Sequence, residues 1–187
     1  MRPRLIGAGE VIAGARAHLR LLTLDDCTPR YQDWLADPQV NRFLETRWRP
    51  QTMADIRAFV GAMLTSESSY LFAILDPRDG MHVGNIKLGP VDWTHRVADV
   101  SYFIGERDRW GCGIASDAIR LAAGFGFERL ELHRVQAGLY ASNVGSARAL
   151  ERAGFRREGV WRQQLRGAAG WEDHLWFGQL REEWARE

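Results

Sequence analysis

Lysine is almost missing from this sequence. Lys87 stands alone among 25 basic residues, and 24 acidic residues bring the net charge to +1. A protein that neutralises a phosphate backbone carries a basic excess or a basic stripe, so no nucleic-acid partner is expected. Cysteine is equally scarce: Cys27 and Cys112 lie far apart, with no zinc or redox spacing. No metal is expected, nothing asks for an oxidising compartment, and cytoplasm is the expected location. No apolar run approaches the ~20 residues that cross a bilayer, so no membrane partner is expected either.

Repeats, low-complexity stretches and Pro- or Ser-rich linkers are also lacking. With 45% hydrophobic and 26% charged residues, the chain has the composition of an ordinary globular protein. Its 187 residues suit one domain. Residues 1–16 read as an N-terminal extension and 17–187 as a single domain, forming a monomer or a homodimer. The opening stretch is loosely like a signal peptide, but Glu10 interrupts it and Arg16 follows where a cleavage site would be sought. A partly ordered extension is the expected state.

The pattern of residues predicts a mixed α/β (α+β) architecture. Strands are expected at 18–22, 70–75, 81–88, 98–104, 134–140, 155–163 and 174–180, about seven in all. Helices are expected at 25–35, 52–63, 114–127 and 144–153, with a short helix or turn at 38–44. Thr28-Pro29 offers a cap and a first-turn proline, and Thr52-Met-Ala-Asp55 resembles a capping box. Such an order packs as a mixed sheet with helices on both faces.

Two segments carry chemistry. Strand Val100-Ser-Tyr-Phe-Ile-Gly105 leads to Trp110-Gly-Cys-Gly-Ile-Ala115 and then to a helix. Glycines let the backbone approach a ligand closely, and free N–H groups at a helix start attract an anion. Taken alone, the turn fits a phosphate cradle and a ligand-free connection equally well. It lacks the third glycine of a dinucleotide turn and the GK[ST] of a triphosphate loop. The second segment is Asn143-Val-Gly-Ser146-Ala-Arg-Ala-Leu150-Glu-Arg-Ala-Gly154-Phe155, a helix capped by Asn143 and stopped by Gly154. Asn143 and Ser146, three apart, point from its first turn toward one cleft.

In this order and spacing the two segments resemble the GNAT superfamily of N-acetyltransferases, over about 19–180. The nearest branch is similar to the Rim-type enzymes that acetylate ribosomal-protein N-termini; Leu132-His-Arg134 and Glu158-Gly159 also fit it. The resemblance implies acetyl-CoA as cofactor. Phe103, Ile104 and Gly105 would offer backbone groups to the pantetheine arm. Gly111, Cys112, Gly113, Ile114 and Ala115 would wrap the pyrophosphate, with Asn143 and Ser146 at the thioester. The superfamily often has Arg or Gln where this chain has Trp110, so backbone amides, aided by Arg107 or Arg109, would carry the phosphate contact.

Acetyl transfer to an amine needs a base or water relay, an oxyanion donor and an acid for the departing thiolate. By analogy with the branch, Ser146 is the expected acid, or else only a helix-turn hydrogen-bonder. Asp99 is a candidate base, or else a surface charge at a strand start. Glu45 is a rival base or a contact for the substrate ammonium. A backbone N–H near Phe103 or Ile104 is the expected oxyanion donor. Cys112 between its glycines reads as a bystander, and His133 as structural. Asn85 and Lys87 share one strand face and, with Asn41, Arg42 and Glu45, form the expected acceptor site. That polar mix suits an amino sugar or another small-molecule amine, with a protein N-terminus as the alternative. A non-catalytic acyl-CoA-binding module is the reading from another class.

Overall fold

The structure, a computed structural model, describes residues 6, 7 and 9–184. Among the described residues, eight strands form one sheet in the order β1-β2-β3-β4-β5-β6-β8-β7. They are β1 (Val11–Ala13), β2 (His18–Leu21), β3 (Tyr70–Leu75), β4 (His82–Asp92), β5 (Val97–Ile104), β6 (Arg134–Tyr140), β7 (Arg156–Gly167) and β8 (Gly170–Leu180). All neighbours run antiparallel except β5 and β6.

Helices cover both faces. α3 (Ile114–Glu128) and α4 (Val144–Arg152) lie on one, with Ile119, Phe127, Leu132 and Leu150 fully buried against Phe72, Ile86 and Phe177. On the other, α1 (Pro29–Ala36) and α2 (Met53–Thr65) bury Tyr31, Trp34, Ile56 and Val60 over Leu71 and Ala73. Each such side chain contributes about 1.5–3 kcal/mol on leaving water. A short α5 (Arg181–Trp184) returns Trp184 onto Gly124 and Phe127.

The caps act as their residue types dictate. Thr28 accepts from Tyr31 N ahead of Pro29, so α1 starts there, and Leu24–Asp26 forms a separate 3₁₀ turn rather than a first helical turn. Thr52 and Asp55 close their box reciprocally at 3.1 and 3.0 Å. Asn143 Oδ1 accepts from Ser146 N.

Two elements go beyond what the sequence pattern showed. The sheet has eight strands, because Val11–Ala13 pairs with β2 inside the stretch read as an extension. The last hairpin also runs longer, to Gly167 and from Gly170. Its distal half (Arg162-Gln-Gln-Leu-Arg166) has no alternating apolar side chains because that part of β7 is exposed, so period two is invisible in the sequence.

β2 is laddered to β3, and the turn between β1 and β2 is tied to α3 by Asp117, 9% exposed in that helix's first turn. Its Oδ2 accepts from Arg16 N at 2.7 Å and Ala17 N at 3.0 Å, while Oδ1 accepts from Arg120. Replacing Asp117 with Ala strands two backbone donors and is expected to cost about 1–3 kcal/mol. Urea unfolding should show the lower midpoint at unchanged slope; an unmoved midpoint would mean that the link between the N-terminal strands and α3 is energetically idle.

Candidate active site

β5 and β6 pair for only three residues, Val97 to Asp99 against Arg134 to Gln136, and then part. β4 is bent next to them by a register shift between Leu88 and Val91. The antiparallel ladder with β4 aims alternate backbone groups of β5 toward β4, where Gly105 N reaches Val83 O at 2.8 Å. By the same alternation Phe103 faces β4, and Tyr102 and Ile104 turn their N–H groups into the gap. Of the three residues expected to face a pantetheine arm, only Ile104 is so placed, and its carbonyl accepts from Trp110 Nε1 at 2.9 Å.

The gap opens into a cleft of about 620 Å³. Phe103, Asn85, Lys87, Asn143, Ser146 and Glu45 line it together. Ser146 stands in the first turn of α4, whose carbonyl there accepts from Tyr102 Oη at 3.2 Å. Burial pushes the Tyr102 phenol up to about 12, so Tyr102 keeps its proton and serves to seat α4. Asn85, 2% exposed, has its Oδ1 fixed by His82 Nε2 at 2.8 Å. Its Nδ2 makes no hydrogen bond, although it neighbours the Tyr31 phenol, itself raised to about 12 by burial.

Other expected residues stand elsewhere. Asp99 lines a separate depression beside Asp92, His95 and Gln136. Asn41 donates to Leu35 O at the end of α1, and the Arg42 guanidinium lies over Phe43; neither lines the cleft. Arg109 does not serve the glycine turn: its guanidinium is paired with Asp76 at 3.0 Å and Asp79 at 2.8 Å. The Arg78 guanidinium, with Arg109 adding to it, holds Asp76 down at about 2. Arg107 is paired with Asp37 at 3.5 Å.

At the turn itself Gly111 and Gly113 take φ of 74° and 82°, a region costly for residues with a Cβ. No side chain caps α3, so the first N–H groups, at Ile114 and Ala115, stay open. A cation beside the turn is Arg16, whose Cδ would lie 2.9 Å from a Cβ at Gly113 and whose Nη1 donates to Cys112 O at 3.4 Å. The sequence offered no sign of this, since 96 residues separate the partners.

The opposite wall is a latch that sequence reading missed apart from Glu45. Tyr140 Oη donates to Glu45 Oε1 at 2.5 Å, and Trp48 Nε1 to Oε2 at 3.2 Å. Arg47 donates to Tyr140 Oη at 3.1 Å, to Arg166 O at 2.8 Å and to Arg42 O. Its guanidinium also lies 4.4 Å from the Trp48 ring centre and 4.8 Å from that of Tyr140. The 3₁₀ turns at Asn41–Phe43 and Glu45–Trp48 are thereby bolted to β6 and β7. Burial, then the Glu45 carboxylate, pushes the Tyr140 phenol up.

A family model described as an acetyltransferase (GNAT) domain matches residues 16–156, a span that holds the parted strands and the glycine turn. The chain belongs to the GNAT acetyltransferase family. It is 26% identical over 178 residues to "Uncharacterized N-acetyltransferase p20" of Bacillus licheniformis, covering 94% of this chain and 99% of the relative. It is 35% identical over 112 residues to "Probable N-acetyltransferase YjcK" of Bacillus subtilis; that match covers 59% of this chain and about 61% of the relative's length. A GNAT acetyltransferase from Bacillus anthracis shares the fold at TM-score 0.79 and 22% identity, over 92% of this chain and 99% of the other. So does a spermidine N-acetyltransferase from Vibrio cholerae in complex with CoA and spermine, at TM-score 0.80, 18% identity and the same coverage.

Within this GNAT domain the latch predicts a local effect. Arg47→Ala should speed amide hydrogen exchange across residues 41–48 by about tenfold while core amides are unchanged. Unchanged exchange there would mean that the segment is held by its apolar contacts alone.

Proposed function

We propose that this protein transfers the acetyl group of acetyl-CoA to the primary amine of a small molecule, an amino sugar before other amines, by direct attack. The observation that carries the reading is the confined cleft in which the parted strands, Ser146 and a fixed Glu45 carboxylate meet. Its volume falls within the ~300–1,000 Å³ typical of small-ligand sites. Asn85, Lys87 and Ser101 add donors and acceptors suited to a hydroxylated amine.

The residues present fit the cofactor. Gly111 to Ala115 give its pyrophosphate open amides at a helix start, with the Arg16 guanidinium beside them. Tyr102 and Ile104 give the thioester arm backbone groups, and one of those N–H groups can donate to a developing oxyanion. Bound acetyl-CoA supplies an activated acyl carbon. Glu45 attracts the ammonium of the acceptor, Ser146 hands a proton to the departing sulfur, and the cleft holds amine and acyl group together.

A thermal shift with acetyl-CoA, then a free-thiol assay with glucosamine, spermidine and a tripeptide bearing a free N-terminus, tests the reading. At 100 times its dissociation constant acetyl-CoA should stabilise the protein by roughly 2.7 kcal/mol. Absence of a shift at millimolar acetyl-CoA sinks the proposal, and a shift without thiol release on any amine favours the non-catalytic module. Preference for the tripeptide would move the acceptor to protein N-termini. Arg16→Ala should weaken acetyl-CoA by about tenfold, or ~1.4 kcal/mol. Ser146→Ala should lower kcat by about a hundredfold with binding intact; unchanged turnover would remove Ser146 from proton transfer.

A further inference from the structure

His174 lies on β8 opposite Tyr140, and its ring covers Gly138 of β6, where a Cβ would stand 2.1 Å from Nε2. Glycine at 138 is what makes room for the ring. Both residues line the cleft. On the far side of the ring, Nδ1 is 2.7 Å from Gln164 Oε1. An amide oxygen only accepts, so Nδ1 carries the proton and Nε2 presents its lone pair on the Gly138 side. Trp176 and Trp161 flank the imidazole at 4.7 and 6.0 Å.

The other titratable groups of the cleft are less suited to accept a proton. Tyr31, Tyr102 and Tyr140 all have raised values. Asp55 is closed into its capping box, Glu45 has a donor on each oxygen, and Lys87 carries the same sign of charge as a substrate ammonium.

We propose that His174 Nε2 is the base that takes a proton from the acceptor's ammonium group, which the Glu45 carboxylate holds against it. The inference rests on the acetyl-transfer reading above. One proton passes from nitrogen to Nε2, and the freed electron pair forms the N–C bond to the acyl carbon as C–S breaks. The second proton on that nitrogen leaves to the sulfur by way of Ser146, and the imidazolium returns its proton to solvent. One ammonium and one thioester give one amide, one thiol and one proton.

The environment sets the pH range of this base. Burial depresses the His174 pKa below 6.5, and the Glu45 carboxylate opposes the depression. Other groups around the ring are accounted for. On β6, Tyr140 bonds to Glu45 and Arg47; β7 presents Gln164 and Trp161; Asp173 on β8 accepts from Gln163 N. His174 is therefore neutral at pH 7, and turnover is lost as pH falls through its depressed value.

The test has two arms. In ¹⁵N-histidine spectra of the full chain without ligands, His174 should show the Nδ1–H tautomer and titrate below pH 6.5, with Glu45→Gln moving that titration lower still. An Nε2–H tautomer overturns the inference whatever the activity. In the thiol assay, with whichever of the three amines wild type acetylates fastest, His174→Ala should lower kcat by about a hundredfold or more. It should also abolish the acid limb of the kcat profile, spare the acetyl-CoA thermal shift, and recover in part with added imidazole. Wild-type turnover alongside a His174→Ala variant that keeps the acid limb overturns the inference but leaves acetyl transfer standing. A wild type that releases no thiol overturns both.

Discussion

The cleft of this chain depends on two parallel strands failing to stay paired. β5 and β6 share three residues of ladder and then separate, which leaves backbone donors and acceptors with no strand partner. Elsewhere such groups are satisfied within the sheet, as Gly105 N is by Val83 O, because burying them unpaired costs about 1–3 kcal/mol each. The proposed cofactor, with amide groups of its own, would satisfy the exposed edge. The fold keeps the gap open by packing each strand on its other side: β5 against the bent β4, and β6 against β8 along seven registered pairs.

How much of this could be read from sequence follows from the range of each interaction. The glycine turn, the Thr52–Asp55 box and the Asn143 cap each lie within a few residues, so residue type alone announces them. A compact apolar run marked β3, whose four central residues are buried, and period two marked β2. It failed for Val11–Ala13, too short to show a period, and for the distal hairpin, whose side chains meet water. The site divided the same way. Asn85 and Lys87 followed from strand alternation and Ser146 from helix spacing, and all three line the cleft.

What was illegible is the identity of the partners. Arg109 and Arg16 are both arginines near a phosphate-binding candidate, one adjacent in sequence to the turn and the other far from it. The adjacent one is drawn off by Asp76 and Asp79, and the distant one is delivered to the turn because Asp117 gathers the backbone on either side of it. In a chain whose positive charge is almost all arginine, the acids decide which guanidiniums remain available. Proximity in sequence therefore misleads, and a carboxylate count around each cation is the better guide.

The same logic orders the wall that carries Glu45. Glu45 sits on a short 3₁₀ turn that has little stability of its own, so a carboxylate there would sample many positions. Arg47 removes that freedom by bridging Tyr140, Arg166 and Arg42, and Tyr140 and Trp48 take one Glu45 oxygen each. The cost of ordering the segment is thus met in folding rather than on binding. His174 is fixed by a parallel device, with Gln164 on one nitrogen and the bare backbone of Gly138 under the other. Both groups take their orientation from the long β7–β8 hairpin and its neighbour β6, so the hairpin whose distal half shows no period in the sequence is the element that aligns the Glu45 side of the cleft.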